Sequence, residues 1–209
     1  MGRVSQQQAE ENRRRVVETA ARLFREKGTH LSVADLMKAS GLTHGGFYKQ
    51  FASKDALIDE ATGHAFAELT QLHAAGLERH AGQRDEARQA LIDNYLSVGH
   101  RDNPADGCPA AALAADMARE PADSEARRVY TKGVRDFAAA LADETADETA
   151  DETADETADE KADGLVRLST MIGALVLSRA TKGSLLSEEI LDSARAALIR
   201  GLREPSSSS

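Results

Sequence analysis

The stretch that most constrains this chain is residues 32–57, SVADLMKASGLTHGGFYKQFASKDAL. Ser32 with Asp35 three positions on is a capping-box pattern that starts a short helix, and Val33, Leu36 and Met37 give that helix one apolar side. Ser40–Gly41 ends it; Gly41 permits a tight turn and Leu42 fills the angle behind it. Thr43 opens a second short helix to about Phe51, in which Phe47 and Phe51, four apart, share the inner side. Ser53 caps a third helix, with Asp55 in its first turn. Two short helices set at an angle by a glycine turn form the arrangement that lays a helix into the major groove of DNA.

The outward side of that second helix presents Thr43, His44, Gly45, Tyr48 and Lys49. Gly45-Gly46 early in a helix costs about 1 kcal/mol per glycine against alanine, a cost that makes sense if another backbone approaches closely there. Lys54 stands at the start of the next helix, where unpaired N–H groups and a cation together suit a phosphate.

The rest of the 209 residues reads as helix. Apolar residues are 41 %, prolines number four, and no window keeps a period-2 alternation. Val16, Ala20, Leu23 and Val17, Ala21, Phe24 make an apolar stripe on a helix over 10–27 that Gly28 stops. Further helices are expected at 53–81, 84–100, 109–120, 124–142, 164–182 and 187–203, with Pro104, Pro109 and Pro121 as punctuation. The expected fold is all-α with about nine helices: a helix-turn-helix domain over 1–52, a sensing and dimerisation domain over 53–203, and a disordered tail over 204–209. Nothing reaches the roughly 18 apolar residues of a membrane span, and the N-terminus lacks the apolar run of a signal peptide. Gln6 stands where an N-myristoylation motif needs Ser or Thr. One cysteine excludes an internal disulfide and fits a reducing cytoplasm.

The net charge of −9 looks wrong for a DNA binder, but it is concentrated in one place. Residues 143–163 hold four DETA units and a DEKA variant, with six Asp and five Glu against one Lys; without them the −9 of the whole chain becomes +1. Residues 1–60 carry ten Lys/Arg and eight Asp/Glu. A four-residue period overshoots the helical turn of about 3.6 residues, so the repeat alanines drift around a helix and build no buried face. The run is expected to be a solvated helical extension or an acidic loop, either a tolerated repeat or an arm that weakens DNA affinity.

ARLFREKG (21–28), SVADLMKASGL (32–42), THGGFYKQF (43–51) and SKDAL (53–57) resemble the TetR/AcrR family of bacterial repressors over most of the first sixty residues. The resemblance implies phosphate contacts for Thr43, Tyr48 and Lys54, base-edge contacts for Gly45 and Lys49, either for His44, and Ser32 beside the backbone. It also implies a homodimer on a palindromic operator. Geometry favours the same, because one short helix reads few base pairs and two must sit about 34–36 Å apart. Dimerising faces are expected on the last two helices: Leu168, Ile172, Leu175 and Val176 on one, and Ile190, Leu191, Ala194 and Leu198 on the other. The same faces would serve as internal core.

A second informative stretch is 100–120, HRDNPADGCPAAALAADMARE. Pro109 suits a first helical position, which makes Cys108 an N-cap; the helix dipole, with His100 and Arg101 nearby, would lower the thiol pKa. A GCP cysteine there also resembles that of electrophile- or oxidant-responsive members of the family. The competing reading is a buried, inert thiol. A reversible apolar effector is the other expected signal, in a cavity lined by Tyr95, Met117, Tyr130 and Phe137 with Val98, Leu113 and Val134. There is no HExxH, CxxC, P-loop or GxSxG pattern, so no cofactor, metal or enzymatic activity is expected. The alternative class is a thiol-based enzyme or ligand-binding protein with a vestigial hairpin; Cys108 with His100 is its one nucleophile–base pair, with no third group to orient it.

Overall fold

A computed structural model describes residues 6–142 and 154–203, and those residues are helical without a strand among them. The expectations for 1–5, for the acidic run over 143–153 and for the 204–209 tail lie outside the described residues. The helices are α1 (Gln6–Lys27), α2 (Val33–Ala39), a 3₁₀ helix (His44–Lys49), α3 (Lys54–Arg79), α4 (Arg84–Tyr95), α5 (Val98–Asp102), α6 (Pro109–Met117), α7 (Glu125–Leu141), α8 (Ala154–Ala180) and α9 (Leu185–Arg203).

They form two compact units. The first takes the described residues up to Leu69 together with Pro104–Gly133, so it does not end at the residue 52 expected from sequence. The reason is apolar: Leu113 and Met117 of α6 and Ala126 of α7 complete a cluster with Val16, Phe24, Leu36, Met37 and Phe47. Polar ties run alongside. Arg25, buried on α1, pairs with Glu68 at 2.9 Å, and Arg22 pairs with Asp106 at 2.9 Å. Gly28 ends α1 at φ +85°, the left-handed conformation that suits glycine. The next residue, Thr29, donates its N–H to Asp116 of α6 at 3.0 Å.

The second unit holds Thr70–Asn103 and the described residues from Val134 onward. α8 and α9 pack against each other, and Leu168, Met171 and Leu175 of α8 and Leu191 and Leu198 of α9 are buried. The single helix expected over 84–100 is broken in two. Ser97 lies between the halves in an extended conformation (φ −106°, ψ 154°), and its hydroxyl accepts from the His100 N–H at 3.1 Å, capping α5. Helix α8 starts at Ala154, ten residues before its expected start, so the last repeat units are helical. Acidic residues at a helix N-terminus are favoured by the macrodipole, which offsets their mutual repulsion.

Candidate nucleic-acid interface

The hairpin of 32–57 is built from its caps inward. Ser32 Oγ accepts from the Asp35 N–H at 3.1 Å, and Ser53 Oγ from the Ala56 N–H at 3.0 Å. Gly41 takes φ +70° at the turn between α2 and the next helix. The segment after Thr43 is a 3₁₀ helix rather than the expected α-helix to Phe51, and the Thr43 hydroxyl makes no capping bond. Two adjacent glycines and the missing cap leave it without the local support an α-helix start needs. Phe47 and Phe51 are buried and stack at 5.4 Å between ring centroids. That anchoring turns Thr43, His44, Gly45, Tyr48 and Lys49 outward. Tyr48 is 66 % exposed, with its ring edge-on to that of Phe47 at 5.1 Å between centroids. A Cβ on Gly45 would meet nothing within 4 Å, so internal crowding does not explain the glycine. Lys54 is half-buried at the first position of α3.

Arg13 is a residue that sequence patterns missed. Its guanidinium donates to the Gln50 carbonyl at the end of the 3₁₀ helix and to Glu60 on α3, and it lies 4.4 Å from the Phe51 ring centroid. Its spacing of three from Val16 was the available signal. Asp116, which holds Thr29, had none.

Cys108 is the N-cap of α6 with Pro109 following, as the proline predicted, but it makes no side-chain capping bond and is 3 % exposed. The Tyr130 hydroxyl donates to the Ala110 carbonyl at 2.6 Å. Burial, and after it the proximity of Cys108, pushes that phenol up to about 12. His100 and Arg101, expected beside the thiol, belong to the second unit and are engaged there. His100 Nδ1 meets the Tyr95 carbonyl at 2.7 Å, and burial lowers the ring's pKa. Arg101 binds Asp102 at 2.8 Å and donates to Ser187 Oγ at 2.9 Å. These bonds hold Asp102, with Lys182, down to about 2. The expected effector lining is likewise divided: Met117 and Tyr130 lie in the first unit, Tyr95 and Phe137 in the second. An open cleft of about 130 Å³ in the second unit, lined by Leu96, Val98, Glu188 and Arg195 among others, is below the roughly 300 Å³ of small-molecule sites.

Of the residues expected at a dimer face, Leu168, Leu175, Leu191 and Leu198 are buried within the chain, Ile172, Ile190 and Ala194 are half-buried, and Val176 is 43 % exposed. The outward apolar side of α8 is instead Leu165, Val166, Val176 and Leu177, with open space over Gly173. Among the described residues no His, Cys, Asp and Glu cluster could hold a metal ion, and no helix is long and apolar enough to cross a membrane.

Residues 16–61 match the family model of bacterial regulatory proteins, tetR family. The chain is 36 % identical to the HTH-type transcriptional regulator AcrR of Shigella flexneri over 61 residues, 29 % of this chain and 28 % of that protein. It is 33 % identical to an uncharacterized HTH-type transcriptional regulator of Mycobacterium tuberculosis over 114 residues, 52 % of this chain and 54 % of that one. The matches thus span about half or less of these relatives' own length. The fold is shared more widely. The crystal structure of E. coli NemR in its reduced form superposes with a TM-score of 0.71 at 18 % identity, covering 91 % of this chain and 96 % of that one. A TetR-family regulator from Agrobacterium tumefaciens gives 0.66 at 19 %, covering 92 % and 98 %. Residues 16–61 thus carry the domain of bacterial regulatory proteins, tetR family, within a chain that shares the fold of these solved structures.

Proposed function

We propose that this chain is a transcriptional repressor that binds a palindromic operator as a homodimer and is released by an effector. The observation that carries the reading is the outward face of the 3₁₀ helix, where Thr43, His44, Gly45, Tyr48 and Lys49 stand on the buried Phe47–Phe51 pair. Lys49 and Tyr48 would contact bases and phosphate, and Lys54 phosphate. The outward apolar strip of α8 around Gly173 would pair two copies. The test is binding to the duplex upstream of the protein's own gene. Lys49→Ala and Tyr48→Phe should each weaken it at unchanged stability, and affinity should fall with added salt. Equal binding by both variants and the wild type would sink the reading.

For the signal, we infer that Cys108 is the sensor. Its helix, α6, belongs to the same compact unit as the reading head, and Asp116 near the far end of α6 holds the turn between α1 and α2 through Thr29. Hydrogen peroxide would oxidise the thiol by two electrons to a sulfenic acid and be reduced to water; an alkyl halide would bond its carbon to the sulfur, the halide leaving and the thiol proton passing to solvent. Either adds atoms at a packed position, and close-packed interiors shift rather than absorb them. Treated protein should release DNA, and Cys108→Ser should not; a full response in that variant ends the proposal. A second reading, a ligand in the second unit with an apolar body and one hydrogen-bonding group, is favoured by His73. Its buried Nε2 has no hydrogen-bond partner, and its ring lies 4.6 Å from that of Phe137. Ligands found by thermal shift should lose their effect in His73→Leu.

A further inference from the structure

Reading DNA requires the 3₁₀ helix to keep its shape, and little in its own sequence keeps it. Runs of 3₁₀ longer than three or four residues are uncommon because their hydrogen bonds are poorly aligned. This one has six residues, two of them glycine, and no side-chain cap at Thr43. We propose that Arg13, on α1, is the residue that positions this helix for DNA, a role that rests on the DNA-binding reading above.

One guanidinium makes three contacts there. Nη1 donates to the carbonyl of Gln50, the C-cap, one of the carbonyls a helix end leaves without an internal partner. Nη2 donates to Glu60, which fixes the same group to α3 and so ties the 3₁₀ helix to the helix that begins with Lys54. The flat face of the guanidinium lies over the Phe51 ring. From Phe51 the contact passes to Phe47, stacked at 5.4 Å, and on to the exposed Tyr48, whose ring meets Phe47 edge-on at 5.1 Å. Arg13 therefore touches the end of the reading helix, the helix that follows, and the aromatic series that supports Tyr48. A planar fork with an aromatic-stacking face does all three; a lysine ammonium, a single charge on a flexible stem, does not. The Arg13 and Glu60 side chains are each 39 % exposed, so the pair is partly open to solvent.

The test uses the full chain as wild type, Arg13→Ala, Arg13→Lys and Glu60→Gln. Hydrogen exchange without DNA reads the clamp itself. The N–H groups of Gly46, Gln50 and Phe51 bond to Thr43 and Phe47 carbonyls at 2.8–3.0 Å. In Arg13→Ala they should exchange roughly tenfold faster, the equivalent of one charge-assisted hydrogen bond. Amides of α6 should not change. Arg13→Lys should not restore protection, and Glu60→Gln should give a smaller loss. Affinity for the upstream duplex should fall roughly tenfold in Arg13→Ala. Affinity for a scrambled duplex of the same composition, and the slope of affinity against salt, should stay as in the wild type. Unchanged exchange overturns the proposal. So does full rescue by lysine, or a salt slope lower by about one, which would make Arg13 a phosphate ligand. A wild-type chain that does not prefer the upstream duplex overturns the DNA reading and with it this role, and the exchange data then still decide whether the clamp exists.

Discussion

The two units bury different things at their seams. In the first, Val16, Phe24, Leu36 and Phe47 close on one another, and apart from the Arg13 clamp the hydrogen bonds that shape the 32–57 hairpin are local caps from Ser32 and Ser53. In the second, arginines reach across long stretches of sequence to helix ends. Arg88 donates to the Ala142 carbonyl at 3.0 Å, Arg167 to the Leu141 carbonyl at 2.8 Å, and Arg179 to the His100 carbonyl at 3.1 Å. Arg101, Ser178 and Ser187 form a buried polar knot beside them. Apolar closure tolerates imprecise geometry, whereas a buried polar knot is stable only when every partner is in place. The first unit should therefore fail by losing volume, and the second by losing alignment or by a change of protonation.

The largest test of that contrast is Phe47→Ala, which empties a fully buried site in the first unit. It should cost about 3–5 kcal/mol in denaturant unfolding and abolish DNA binding. Next comes Gly164→Ala in the second unit, where an added Cβ would lie 2.3 Å from the Ala138 carbonyl oxygen, a backbone atom that cannot swing away. About 1–3 kcal/mol is expected from overpacking, and a thermal midpoint equal to the wild type's would show that the two helices can separate freely.

Protonation should also act on the second unit. Burial pulls His73 down from 6.5 to about 4, so between those values the unfolded chain binds more protons. Stability present above pH 6.5 is then lost as pH falls through that window, by about 1–2 kcal/mol once partial exposure is allowed for. His100, also lowered by burial, acts in the same direction. Thermal midpoints of the wild type and His73→Leu between pH 7 and 4 measure it; the variant should show the shallower fall. Asp102 acts lower still. Its ties to Arg101 and Lys182 stabilise the fold above the usual carboxylate pKa and are lost as pH falls toward about 2. The smallest effect belongs to Ser32→Ala. It removes one cap and should cost about 1 kcal/mol while leaving the second unit's hydrogen exchange unchanged.

The reading hairpin was legible because its determinants lie within a few residues of one another: Ser32 with Asp35, Gly41 at the turn, Phe47 with Phe51. The same local logic placed Pro109 at the start of α6 and Gly28 at the end of α1. It erred where a local signal had two readings. Ser97 sits inside an apolar pattern that reads as helix interior, and it is a cap. Thr43 stands at the N-cap position its residue type suggests, but its hydroxyl makes no capping bond. Leu168, Leu175, Leu191 and Leu198 show an apolar side but not what covers it, and they are buried within this chain, where α4, α8 and α9 pack on one another.

By itself, the sequence determined helices, their caps and turns, and the face of the 43–51 segment that looks outward, because each is set by neighbours one helical turn away. Only the tertiary structure decided that α6 joins the unit of the 32–57 hairpin, that His100 and Arg101 serve the second unit, that Cys108 is buried, and that Arg13 grips the end of the 3₁₀ helix. Those outcomes depend on contacts between residues tens of positions apart, whose closeness is settled by packing and leaves no periodic trace along the chain.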